Sequence, residues 1–292
     1  MPFLNAYKPL APLAQEEYHA STPPEKYDLN FVYEVPEQLE TRDGVRLEPL
    51  VPSLHGRRLF ELFSAHPSGF LYLPYGPFPT YASFLTLLET LRRDEGTLLF
   101  SVFDLSLDLE NGDEDMQDGA TLRRERIAGI VGVLKSRPHD RMTEIGHLHI
   151  PPPFQRTHVL THSISLLLHW TLDRPSSSSS RPALGLRRVQ WFANNLNQPS
   201  ILAARRLGFV DEATHMAWDR IVPPSKVNGV VPLPAFLQEE QRKKEEKRGL
   251  GRHSACLGLG WDRWEEDGKR RVLCLVMRDV TRKKATEVPG LL

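Results

Sequence analysis

The sequence predicts an α/β domain around a central mixed, mostly antiparallel twisted sheet, and three observations point to it. Thr97–Leu105 and Ile127–Leu134 are apolar runs without helical period, so they read as central strands. Glu144–Ile150 alternates and reads as a third strand antiparallel to them. Ile145, His147 and His149 fall on one face, and Glu144, Gly146, Leu148 and Ile150 on the other. From Thr161 the spacing turns helical through Ile164, Leu167, Leu168 and Leu172, and Leu186–Phe192 returns to strand. Such a crossover favours strands 144–150 and 186–192 lying adjacent and parallel.

Composition narrows the function classes. The chain has 292 residues, with 37 Lys plus Arg against 37 Asp plus Glu, so no global field draws it to nucleic acid or an acidic membrane surface. No apolar run is long enough to span a bilayer. The N-terminus lacks a basic start followed by an apolar run, which argues against a secretory signal. Cys256 and Cys274 read as free thiols in a reducing, cytoplasmic compartment. The eleven histidines do not join them at ligand spacing, so no metal site is expected.

In chain order, residues 1–42 read as a Pro-rich extension that wraps the core or stays mobile. Val45–Val51 is a strand, and Ser53 is positioned to cap a helix whose stripe is Leu54, Leu59, Phe60 and Phe63. Phe70–Phe78 is aromatic and rigid; it is either a packed turn or a wall of a pocket. Thr80 caps a helix with Phe84, Leu85, Leu88 and Leu91 inward. An acidic, glycine-bearing loop spans about 108–126. Gly129 and Gly132 in the return strand permit close backbone approach. After a serine run at 176–180 and the strand from Leu186, Gly208 fits a left-handed cap ending the helix from Ser200. Val210–Ile221 is strand. A proline-rich, charged linker covers about 223–250 and includes a helix of mixed charge. Ser254–Trp264 and Val272–Met277 read as a closing hairpin around Asp267-Gly268, beside the 210–221 strand. The domain is bounded at about 43–280, with a tail at 281–292.

The stretch after Ile150 holds the clearest chemistry. Pro151, Pro152 and Pro153 cannot donate to a ladder, so the strand stops or bulges there. Gln155-Arg156-Thr157-His158-Val159-Leu160 then leads into the helix. Its free N–H groups and positive dipole end make an anion site suited to a pyrophosphate. A second stretch, Asn197-Gln198-Pro199-Ser200 followed by Ile201 to Phe209, ends in Leu207-Gly208-Phe209.

Together these motifs resemble the GNAT N-acetyltransferases, in the RimJ/RimL-like (ribosomal-protein N-acetyltransferase-like) branch and of fungal type, over roughly Val45–Arg220. Gln155, His158 and Leu160 stand at the family's Gln, Gly and Gly/Ala loop positions, so the first motif departs at its glycines. Asn197, Ser200, Leu207, Gly208 and Phe209 match the second motif in full. The resemblance implies a GNAT fold with helices on both sheet faces and acetyl-CoA as co-substrate. The acceptor would be a primary amine of a small molecule or protein N-terminus, acetylated by direct attack.

It further implies that Gln155, Arg156, Thr157, His158, Val159 and Leu160 hold the pyrophosphate, and that N–H groups near His149 and Ile150 polarise the thioester carbonyl. Asn197 would bind the pantetheine amides or cap its helix. Ser200 would donate to the leaving thiolate, cap the helix, or both. Glu144 would be the base, or alternatively an exposed strand-end charge. His147 and His149 are alternative bases, or core or surface histidines. Two other functions stay open: an acyl-CoA-binding protein that has lost catalysis, and a protein-interaction module.

Overall fold

A computed structural model describes residues 4–8, 18–41, 44–106, 126–176, 181–226 and 233–286. The strands are β1 (Leu39–Glu40), β2 (Val45–Pro49), β3 (Leu98–Asp104), β4 (Arg126–Arg137), β5 (Met142–His149), β6 (Arg188–Asn194), β7 (Val210–Val222) and β8 (Leu250–Gly260). They form one eight-stranded sheet in the order β1-β2-β3-β4-β5-β6-β8-β7. All pairs are antiparallel except β5 with β6, which are parallel as the crossover requires.

Helices cover both faces. On one lie α3 (His158–Leu172), α4 (Gln198–Arg206) and α7 (Lys269–Thr286), packed over Val45, Phe100, Val131, Ile145, Val189 and Leu257. On the other, α1 (Arg57–Ala65) and α2 (Tyr81–Arg92) bury Leu59, Phe63, Phe84, Leu85 and Leu88 against Leu99, Phe103 and Ile130. β3 has neighbours on both faces and is buried at every position, which is why its sequence shows no alternation. Leu29, Phe31 and Val35 of the N-terminal extension pack against the α3 side.

The caps follow local chemistry. Thr80 Oγ1 accepts the Ser83 amide, while Ser83 Oγ accepts the Thr80 amide, a reciprocal capping box. At the end of α4 the Gly208 amide donates to the Arg205 carbonyl and Phe209 to the Ala204 carbonyl, with Gly208 at φ +103°. That is a Schellman motif. Ser53 does not cap α1; its hydroxyl donates to the Thr22 carbonyl, and Leu54 is exposed.

The expected closing hairpin is not there. Ser254–Gly260 is strand, belongs to β8 and lies beside β7, but inserts between it and β6. Val272–Met277 is helical, within α7. Asp267-Gly268 sits in a wide helical turn after α6 (Trp261–Arg263) rather than in a hairpin. The reason is packing: Trp264 and Val272 are fully buried in the core that α7 shares with α3. α5 (Glu239–Arg248) is the expected helix of mixed charge, with no buried residue.

The acidic loop at 108–126 and the serine run lie largely outside the described residues. Among the described residues, no helix is long and apolar enough to cross a membrane and no metal-ligand cluster occurs. Cys256 and Cys274 are free thiols.

Candidate active site

β5 and β6 pair only from Met142↔Arg188 to Ile145↔Trp191. Beyond that β5 continues against β4 and β6 against β8, so the two parallel strands part. The candidate site is built around this divergence.

On the β5 side a bulge sets the chemistry. Gly132 faces Gly146 and Ile130 faces His149, so β5 uses one more residue than β4, and His147 takes a left-handed φ of +52°. The extra residue reverses the alternation. Ile145, Leu148 and Ile150 pack on the α3 side, while His149 stacks on Phe63 and meets Phe70 edge-on across the sheet. The sequence expectation that Ile145 shares a face with both histidines is thereby corrected, because simple alternation assumes an unbroken ladder. Gly129, at φ +141°, lets β4 approach the His149 carbonyl closely; a Cβ there would collide with it.

Glu144 is not a strand-end charge but is 2 % exposed. Lys135 Nζ lies 2.8 Å from its Oε2 and Arg220 Nη2 lies 3.9 Å from its Oε1. Burial raises its pKa, against the opposing pull of Lys135 and Arg220. A carboxyl raised in this way is a stronger base once ionised.

His147 Nδ1 lies 3.0 Å from the Tyr75 hydroxyl, and burial with the Arg220 charge lowers its pKa to about 4. Burial with the Lys226 charge lowers His149 to about 3. Both rings are neutral near pH 7 and weakly basic. The aromatic stretch is packed, with Phe70 at 1 % exposure, and the Tyr75 hydroxyl meets His147.

Beyond the prolines, Gln155 Nε2 donates to the Ile150 carbonyl at 2.8 Å, and Arg156 is exposed with φ +62°. Thr157 is the N-cap of α3, its Oγ1 accepting the Val159 amide at 3.3 Å. The helix therefore begins at His158, a turn earlier than the apolar spacing suggested. The His158 ring is turned inward, with Nε2 3.2 Å from Asp104 Oδ1 and 3.2 Å from the Gly44 carbonyl. Burial alone would raise the Asp104 carboxyl, but hydrogen bonds from His158 and Ser106 hold it well below the usual carboxylate range. Only the main chain of His158 is thus left at the helix start, with that of Leu160, the Val159 amide being bound to the cap.

On the β6 side, Asn197 caps α4, its Oδ1 accepting the Ser200 amide at 3.3 Å. Ser200 is therefore inside the helix rather than its cap. Trp191 Nε1, at the last paired position of β6, donates to Ser200 Oγ at 3.1 Å. A hydroxyl that accepts one bond still has its proton to give. Arg206 reaches from α4 to Thr161 Oγ1 of α3 at 3.4 Å, bridging the two helices.

Sequence reasoning missed Lys135, Arg220 and Lys226. Lys135 carries a visible cue, a charge closing an apolar strand, and its amine lies 4.4 Å above the Phe192 ring. Arg220 comes from the far edge strand, and Lys226 Nζ donates to the Phe70 carbonyl 156 residues away. Neither had a local signal.

The chain has the fold of the GNAT acetyltransferases. A GCN5-related N-acetyltransferase from Brucella melitensis matches with TM-score 0.60 and 23 % identity, over 83 % of this chain and 86 % of that one. A probable GNAT-family acetyltransferase from Chromobacterium violaceum matches at 0.57 and 23 %, over 90 % of this chain and all of that one. RimL, the ribosomal L7/L12 alpha-N-protein acetyltransferase solved with coenzyme A, matches at 0.52 and 14 %, over 77 % and 98 %. No family model matches the chain, nor does any curated protein.

Proposed function

We propose that this chain is an N-acetyltransferase that moves an acetyl group from acetyl-CoA to a primary amine of a small molecule or a protein N-terminus. The observation that carries the reading is the parting of β5 and β6 beyond Ile145 and Trp191, flanked by the N-termini of α3 and α4. A gap between parallel strands offers main-chain groups to an extended pantetheine arm. The α3 terminus, with Arg156 exposed beside it, suits a pyrophosphate.

In this reading the amides of His158 and Leu160 hold the phosphates, with Gln155, Arg156 and Thr157 forming the turn and Val159 bound into its cap. Asn197 keeps its amide NH2 for the pantetheine, because its oxygen is committed to the cap. N–H groups near His149 and Ile150 polarise the carbonyl. Glu144 takes a proton from the acceptor ammonium, directly or through water. The amine nitrogen then bonds to the carbonyl carbon as the carbon–sulfur bond breaks, and the second proton it sheds passes to the departing thiolate, which the Ser200 hydroxyl meets with a hydrogen bond. No group of the protein is acylated.

A second reading, an acyl-CoA-binding protein without transfer, draws on the close Lys135–Glu144 pair, which would have to loosen for Glu144 to act. Calorimetry with acetyl-CoA and release of free CoA over a panel of amines separate the two. The expected result is saturable binding, weakened several-fold by Arg156→Glu through charge beside the phosphates, with CoA release for at least one amine. Binding unaffected by Arg156→Glu rejects the loop as the phosphate site. Binding without release for any amine favours the second reading.

A further inference from the structure

The opposite end of the parallel pair holds a separate cavity of about 240 Å³. It opens where β5 and β6 begin and α3 ends, away from the diverging ends described above. Its floor is apolar: Leu172 and Leu186, at 1 % and 3 % exposure, with Pro175 beside them. Arg141, Arg174 and Arg187 stand around it together with Trp261.

Hydrogen bonds tie the setting together. Arg141 Nη2 donates to the Gly185 carbonyl at 2.7 Å, the Arg187 amide to the Arg141 carbonyl at 2.7 Å, and the Trp261 amide to the Arg187 carbonyl at 3.0 Å. The Arg187 and Arg174 guanidiniums lie over the Trp261 ring, 4.2 and 5.0 Å from its centre. Stacking occupies the flat faces of a guanidinium and leaves its N–H edges free to grip an anion.

Among the described residues most of the neighbouring carboxylates have other partners. Asp140 pairs with Arg137 at 2.7 Å. Asp173 accepts from His169 and Trp264 and pairs with Lys269. Asp262 accepts the Arg263 amide. Glu265 pairs with Lys269 at 2.9 Å and with Arg174 at 3.8 Å, so Arg174 is partly neutralised. Like charges around one apolar-floored cavity repel one another, Arg174 least because Glu265 pairs with it, and a bound anion relieves this.

We propose that this cavity binds a small organic phosphate, a phosphate monoester carrying one flat apolar group. Arginine forks suit phosphate oxygens bidentately, and the Leu172–Leu186 floor suits the apolar body. A volume of about 240 Å³ lies below the range of roughly 300–1,000 Å³ usual for drug-sized ligands, which limits the guest to about one ring with its phosphate. The site shares no residue with the 155–160 loop and does not depend on the acetyl-transfer reading.

The test is a titration with phenyl phosphate, followed through the indole N–H resonances of the five tryptophans, with Trp261→Phe assigning the reporter. Phenyl phosphate should move the Trp261 resonance saturably. Inorganic phosphate should bind more weakly and phenol should leave it unmoved. The double variant Arg141→Ala/Arg187→Ala should weaken binding by about tenfold or more, as expected for loss of two charge-assisted contacts. Its other indole resonances should stay in place, reporting an intact fold; if they do not, Arg187→Lys, which keeps the charge but loses the fork, should weaken binding while preserving them. An unmoved Trp261 resonance, equal binding of inorganic phosphate, or a response abolished by Arg156→Glu but not by the arginine variants overturns the proposal.

Discussion

At the scale of single residues, one burial decides how Glu144 reads. In sequence it is a charge opening a strand, and exposed carboxylates of that kind are common. In the fold it is almost wholly enclosed, with Lys135 and Arg220 as its cations. Because burial raises its pKa, the base form is lost at a higher pH than for an ordinary glutamate. The rate should therefore fall as pH drops through that raised value, and Glu144→Gln should remove this acidic limb. Ser200→Ala should lower kcat more than it raises KM, because the thiolate charge it meets exists mainly in the transition state. Steady-state kinetics across pH, on variants melting with the parent, check both. Unchanged turnover in both variants removes the assigned roles.

At the scale of elements, small backbone devices hold the site in register. The β5 bulge turns His147 and His149 to the face opposite Ile145, and the Schellman cap fixes where α4 hands over to β7. Gly208 holds φ +103° at that cap, a region costly for any residue with a Cβ. A Cβ there would meet only the flexible Arg271 side chain, at 3.5 Å, so conformation rather than crowding sets the cost. Gly208→Ala should thus destabilise the chain by about 1–2 kcal/mol in denaturant unfolding, with the slope against denaturant unchanged. A neutral outcome would mean that the cap relaxes without strain.

At the scale of the whole molecule, the C-terminal segment closes the core. Trp264 is fully buried, its indole donates to Asp173 at 2.9 Å, and Val272 packs beside it. Trp264→Ala should cost about 3–5 kcal/mol of unfolding free energy, the usual range for emptying a large aromatic site. A surface position would lose far less. The same measurement tests whether α7 belongs to the core it shares with α3.

The sequence by itself determined the α/β class, the parallel β5–β6 crossover, the Thr80 and Gly208 caps and the two motifs around 155–160 and 197–200. Each depends on periodicity, on residue types with fixed backbone preferences, or on short spacing, so each is legible locally. Tertiary structure decided the rest. Alternation along β5 could not foretell that an extra residue would reverse its faces, because a bulge is defined by the partner strand. His158 read as a neighbour of phosphate until Asp104 and Gly44, distant in sequence, claimed its ring. Val272–Met277 has strand-like composition, yet a short apolar run fits either a buried strand or a buried helix face, and the groove beside α3 selects the helix. Lys135 and Arg220 meet Glu144 only because β4 and β7 bring them to one sheet face, and contacts of that separation leave no local pattern to read.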